Sequence, residues 1–117
     1  MGYMALRTVV ETGTFIKAAA TVLSEDERTR LIDYLAFDPL AGDEIRGTGG
    51  VRKVRFAIRE RGKSGGARVI YFVYSAETPV YLLTCYAKNV RDNLTDAEIN
   101  AYARVTAAIK AAYRKRM

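Results

Sequence analysis

An α+β domain with a mostly antiparallel sheet is the fold class this sequence predicts, and three observations carry it. Two runs, ARVIYFVY (residues 67–74) and VYLLTCYAK (residues 80–88), are apolar on both alternating faces, as in strands at the centre of a sheet covered on both sides. The five residues SAETP join them at a hairpin-like spacing. Two further stretches, SEDE and LTDAE, are capping boxes that open helices. The resulting order is β-α-α-β-β-β-α: a compact α+β domain with an antiparallel sheet, two N-terminal helices and a C-terminal helix.

Taken in order, ALRTVVET (residues 5–12) is rich in β-branched types and reads as a short first strand. FIKAAATVL (residues 15–23) suits a short helix, because alanine loses little side-chain entropy there. Ser24 and Glu27 form the first capping box, and Leu31, Ile32 and Leu35 then share one face of a second helix that ends at Phe37, before Asp38-Pro39. GDEIRGTGG reads as a loop. VRKVRFAI (residues 51–58) alternates, with Val54, Phe56 and Ile58 on one side and Lys53, Arg55 and Ala57 on the other. RERGKSGG is a basic, glycine-rich connection to the two apolar strands. Thr95 and Glu98 cap the last helix, Leu94 is placed to staple onto Ile99, and Ile99, Tyr102, Val105, Ile109 and Tyr113 recur at helical spacing.

At 117 residues the chain reads as a single domain spanning residues 1–117, large enough for its own core. No internal repeat or Pro/Ser-rich linker divides it. No run approaches the roughly 20 apolar residues of a membrane span, and the N-terminus lacks the pattern of a signal peptide. A cytoplasmic protein without membrane contact is the expectation. The lone Cys85 has no internal disulfide partner and reads as a small buried hydrophobe. The chain has no His and no CxxC, so neither the common zinc and iron sites nor a His-containing triad is expected. Acid–base chemistry then falls to Lys, Arg, Tyr, Asp, Glu or water, with no metal and no cofactor implied.

Charge is local. Between Arg46 and Arg68 stand eight Lys or Arg residues and one acid, Glu60, a net +7 against +6 for the whole chain. Lys53 and Arg55 share a face by the period-2 alternation of strands. Arg68 opens the next strand, close to the loop that carries Arg59, Arg61 and Lys63, and Lys88 ends the third strand. Paired in sequence order, the three strands bring these cations to one face or rim, where Arg can fork onto phosphate oxygens and Lys acts as a point charge. Gly62, Gly65 and Gly66 would allow close backbone approach to a phosphate. A solvated face that blocks edge-to-edge strand pairing is the bland alternative; an acidic protein partner is another. GTGG and GKSGG are not phosphate loops, since no helix follows either and GxxxxGK[ST] is not met. Tyr71, Tyr74 and Tyr81 read as ordinary half-buried strand residues. Tyr86, two residues before Lys88, is the one placed to stack on a base.

The ordered run GTGGVRKVRFA…GKSGGARVIYF…YLLTCYAKN…LT, over about residues 42–98, resembles the HigB branch of the RelE/ParE toxin superfamily of type II toxin–antitoxin systems. The resemblance implies a RelE-like compact fold and a ribosome-dependent mRNA endonuclease that inhibits translation. It implies a cognate antitoxin, usually of helix-turn-helix type, with operator DNA bound only through the antitoxin complex. By position it makes Lys53, Arg55, Arg68 and Lys88 the catalytic set: Arg55 and Arg68 as phosphate and transition-state clamps, Lys53 or Lys88 for proton transfer. Crowding by other cations would lower the pKa of such a lysine. Arg52, Arg59, Arg61, Lys63 and Tyr86 are the expected RNA contacts. Two positions depart from RelE: Asn89 stands where a second basic residue is usual, and Thr95 near the place of a C-terminal Tyr. A ParE-like gyrase poison of the same fold and a non-catalytic nucleic-acid-binding module are the competing functions. The cation cluster on the sheet favours the nuclease.

Overall fold

The computed structural model describes residues 6–58 and 66–115. The β-branched N-terminal run pairs over only three residues, β1 (Val9–Glu11). At Thr12 the chain turns: its hydroxyl donates to the Leu82 carbonyl (2.8 Å) and accepts from the Phe15 N–H, starting α1 (Gly13–Val22). The Ser24–Glu27 capping box forms in both directions, at 3.1 and 2.9 Å, and opens α2 (Glu25–Phe37). Each box satisfies two backbone donors that the first turn leaves open. Phe15, Ala19, Leu31 and Leu35 then face the sheet, with Ile32 partly buried beside them.

The sheet has five strands in the order β1-β5-β4-β3-β2. Its centre is β3 (Val51–Phe56), β4 (Ala67–Val73) and β5 (Val80–Ala87), antiparallel neighbours in sequence order. β1 joins β5 in parallel at one edge. At the other edge, the segment expected to be only loop contains a two-residue strand, β2 (Asp43–Glu44), paired with β3. Asp and Glu are poor strand formers, so this pairing comes from the neighbouring strand rather than from local preference.

Two apolar clusters flank the sheet. On one face Val54, Ile58, Val69, Tyr71, Val80, Leu82 and Cys85 pack with α1 and α2. On the other, Val51, Ile70, Phe72 and Leu83 meet α3 (Asp96–Arg114) through Tyr102 and Ile109. Being covered on both sides is why β4 and β5 read as continuous apolar runs. β5 carries an extra residue at Leu83, since Ile70 pairs with Thr84 and Tyr71 with Leu82. Such a bulge shifts the alternation by one. Cys85 therefore packs on the α1 face with Leu82, and Tyr86 joins the α3 face with Leu83.

The GTGG segment seats α3. Gly49 has φ +79°, and a Cβ there would stand 2.5 Å from Thr106 Oγ1, so glycine serves both the turn and the close approach. The buried Thr106 hydroxyl donates to the Thr48 carbonyl (2.7 Å), and Lys110 donates to the Gly49 carbonyl (2.6 Å). The seam of α3 therefore runs through Thr106, which is 1% exposed, whereas Val105 of the expected stripe is 41% exposed. Ile99, Tyr102, Thr106, Ile109 and Tyr113 follow the alternating three- and four-residue spacing of one helix face; Val105 lies about 100° away from Thr106. Near the C-terminal end of α3, the hydroxyls of Tyr113 and Tyr81 are 2.7 Å apart.

Candidate active site

The face that α3 covers near Val51 and Phe72 holds a polar row at the opposite end of the strands. In register, Arg55 stands opposite Arg68, and Arg68 opposite Tyr86. Three adjacent strands thus contribute one residue each to a line across the sheet. Lys53 shares the face with Arg55 and is paired with Ile70, one step toward α3. The segment between β5 and α3 closes the row from the side. Its Asp92 accepts a hydrogen bond from Arg68 Nη2 at 2.9 Å. Arg68 Nε is buried and has no hydrogen-bond partner among the described residues.

Tyr86 is held from three directions. Its hydroxyl donates to the Asp92 carbonyl (3.2 Å), the Arg91 guanidinium lies 4.3 Å above its ring, and its body is buried in the sheet. Burial pushes its phenol pKa up, against the opposing pull of Arg91 and Arg68, so the hydroxyl keeps its proton at neutral pH. Arg91 is fixed in turn by a two-pronged ion pair with Glu98, at 2.6 and 2.9 Å. That bond holds the Glu98 carboxyl down at about 2. Glu98 also completes the cap of α3, accepting from the Thr95 N–H at 2.8 Å, so helix start and site wall are one construction. Thr95 is the N-cap itself.

Beneath the row lies a cleft of about 220 Å³ lined by Ile45, Lys53, Ile70, Tyr86, Asn93, Leu94 and Ile99. Lys53 and Tyr86 are the sequence-predicted site residues that open into it; Leu94 was expected only as a staple onto Ile99, and Asn93 was not anticipated. Neither were Arg91 and Asp92, whose partners lie outside their own segment and leave no local signal beyond a polar NVRDN stretch. A backbone rule places one residue elsewhere. Arg52 precedes Lys53, so it points to the other face of the sheet, where its guanidinium donates to the carbonyls of Gly42 (2.5 Å) and Leu40 (3.5 Å). Lys88 follows β5 in a turn, half-buried, its N–H donating to the Gly66 carbonyl at 3.0 Å. Arg59, Arg61 and Lys63 lie outside the described residues.

Chemically, the row offers two guanidinium groups and a protonated phenol, and the phenol also lines, with Lys53, the cleft beside it. Two like charges directly opposite on adjacent strands repel, and a phosphate seated between them would relieve that repulsion. Among the described residues no group of three or more His, Cys, Asp or Glu side chains gathers to hold a metal ion, and no helix is long and apolar enough to cross a membrane.

Residues 42–117 match the family model described as the RelE toxin of the RelE/RelB toxin–antitoxin system. Among solved structures, the chain is similar to a mutant of the E. coli toxin RelE in the free state. The TM-score is 0.54 at 17% sequence identity, over 86% of this chain and 97% of that one. At that identity the likeness is one of fold.

Proposed function

Because this chain belongs to the RelE toxin family, as the toxin of a toxin–antitoxin system, we propose that it is an endoribonuclease of the HigB branch that cuts messenger RNA on the ribosome and so arrests translation. The observation that carries this reading is the opposition of Arg55 and Arg68 beside Tyr86, with the Arg68 Nε buried and unpaired. The cleavage needs no cofactor or metal. A ribose 2′-OH attacks the adjacent phosphorus as its proton passes to a base, Lys53 or Lys88. The P–O5′ bond breaks, the leaving oxygen takes a proton, and a 2′,3′-cyclic phosphate remains. Arg55 and Arg68 hold the phosphate and meet the charge that grows on its oxygens, the largest single contribution in chemistry of this kind. The Tyr86 phenol, protonated at neutral pH as any phenol of ordinary or raised pKa is, is suited to donate to the leaving oxygen or to stack a base above it.

Arg59, Arg61 and Lys63 serve the RNA backbone in this proposal. Arg52, on the other sheet face, stands outside the reacting centre. The antitoxin, of helix-turn-helix type and the route to operator DNA, neutralises by laying an acidic or amphipathic segment over the Arg46–Arg68 region. The test is a purified system: mRNA on programmed ribosomes against the same mRNA free in solution, with the chemistry of the new ends determined. Cuts only on ribosomes that leave 2′,3′-cyclic phosphate ends support the proposal. Cuts in free RNA refute ribosome dependence, 3′-hydroxyl ends refute attack by the 2′-OH, and no cuts refute the nuclease.

A further inference from the structure

The carboxylate beside Arg68 stands where the substrate phosphate belongs. We infer that Asp92 is a built-in counter-ion that occupies the phosphate seat of the free toxin and is displaced when RNA binds; this rests on the nuclease reading of the same site. Its contact with Arg68 is a single one, Nη2 to Oδ1 at 2.9 Å. A phosphate or a fully seated carboxylate would take two parallel bonds from a guanidinium, yet Nε remains buried and unpaired. The seat is therefore only half filled.

The two partners differ in exposure. The Arg68 side chain is 15% exposed, while that of Asp92 is 53% exposed. The cation belongs to the rigid sheet and the anion to the segment between β5 and α3, whose backbone is tied down by the Tyr86 hydroxyl on the Asp92 carbonyl. The carboxylate itself has no second ion-pair partner among the described residues. An ion pair with one member in solvent contributes little, so release is cheap. Holding it closed in the free protein still matters, because among the described residues Asp92 is the carboxylate that ion-pairs with the Arg55–Arg68 opposition. A phosphate engages both arginines, which Asp92 does not.

The test is the affinity of the purified toxin for a fluorescent 2′-O-methyl oligoribonucleotide, which cannot be cleaved, read by anisotropy at fixed low salt. Asp92→Asn is expected to bind roughly fivefold more tightly than wild type. Asp96→Asn makes the same change in net charge at the start of α3 and controls for general attraction; it should leave affinity near wild type. In an Arg68→Ala background the Asp92→Asn gain should vanish. Equal gains from Asp92→Asn and Asp96→Asn, weaker binding by Asp92→Asn, a gain that survives Arg68→Ala, or no binding by any form would each overturn the inference. Cleavage on ribosomes, measured separately, separates the two ideas: intact cutting with no Asp92 effect removes only the counter-ion, and the reverse removes only the nuclease.

Discussion

Arg55 stands directly opposite Arg68 across the β3–β4 ladder, an arrangement that costs the fold stability. Paired strand residues of like charge destabilise where opposite charges would contribute about 0.2–1 kcal/mol. Arg55→Ala should accordingly leave the unfolding free energy unchanged or raise it by a few tenths of a kcal/mol, up to about 1 kcal/mol. The same variant should lose on the order of 100-fold or more in mRNA cleavage. Urea denaturation beside a ribosome cleavage assay checks both halves. A destabilised Arg55→Ala protein would show that the pair is not strained in the free state.

The docking of α3 depends on one hydroxyl. Thr106→Val keeps the side-chain shape but leaves the Thr48 carbonyl without its donor, at a cost of about 1–3 kcal/mol. Val105→Ala, on the exposed side of the same helix, should change stability by less than about 0.5 kcal/mol. Equal losses from the two would place the seam where the simple apolar stripe had it.

Glu98 gives the fold an acid dependence with a definite sign. Its carboxyl is lowered from 4.5 to about 2, chiefly by the bond from Arg91. A depressed carboxylate contributes stability that is present above pH 4.5 and is lost as pH falls toward 2. The pair is partly solvent-exposed, so the amount is small. Urea midpoints from pH 6 to 2.5 should fall less steeply in Glu98→Gln than in wild type below about pH 4.5; parallel curves would mean that the ion pair is not formed in solution.

Cys85 should be silent toward thiol reagents. It is buried, and desolvation pushes its thiol up to about 12, leaving little thiolate at pH 8. Labelling with a chromogenic disulfide should be negligible in buffer and complete in denaturant. Rapid labelling of the native protein would reveal an opening of the β5 core.

Much of the fold was legible because its signals are local. The Ser24–Glu27 and Thr95–Glu98 boxes each lie within four residues, and both form. β4 and β5 announce themselves by being apolar on both faces. The site was legible only as far as period 2 reaches. Lys53 and Arg55 share their face by alternation, and the same rule, carried one residue back, puts Arg52 on the other side. Tyr86 reaches the row only because β5 bulges at Leu83; uninterrupted alternation from Leu82 would have turned it toward α1. A bulge depends on the partner strand and leaves no mark in one strand's own pattern. Asp92 and Thr106 act through bonds to distant residues and Arg91 through a bond into the following helix, and Thr106 is a polar residue in a seam sought among apolar ones. The parallel β1–β5 pair joins residues some seventy positions apart, beyond any local pattern.

Whether Arg68 serves chemistry on messenger RNA separates a nuclease from a toxin of another kind. The most direct measurement is primer extension on a reporter mRNA in bacteria induced to express wild type or Arg68→Ala. Growth arrest with new, translation-dependent mRNA ends in wild type, and neither in a folded Arg68→Ala protein, is the predicted result. Arrest with intact mRNA, or unchanged cutting by Arg68→Ala, would contradict it, the first outcome pointing instead to a gyrase poison.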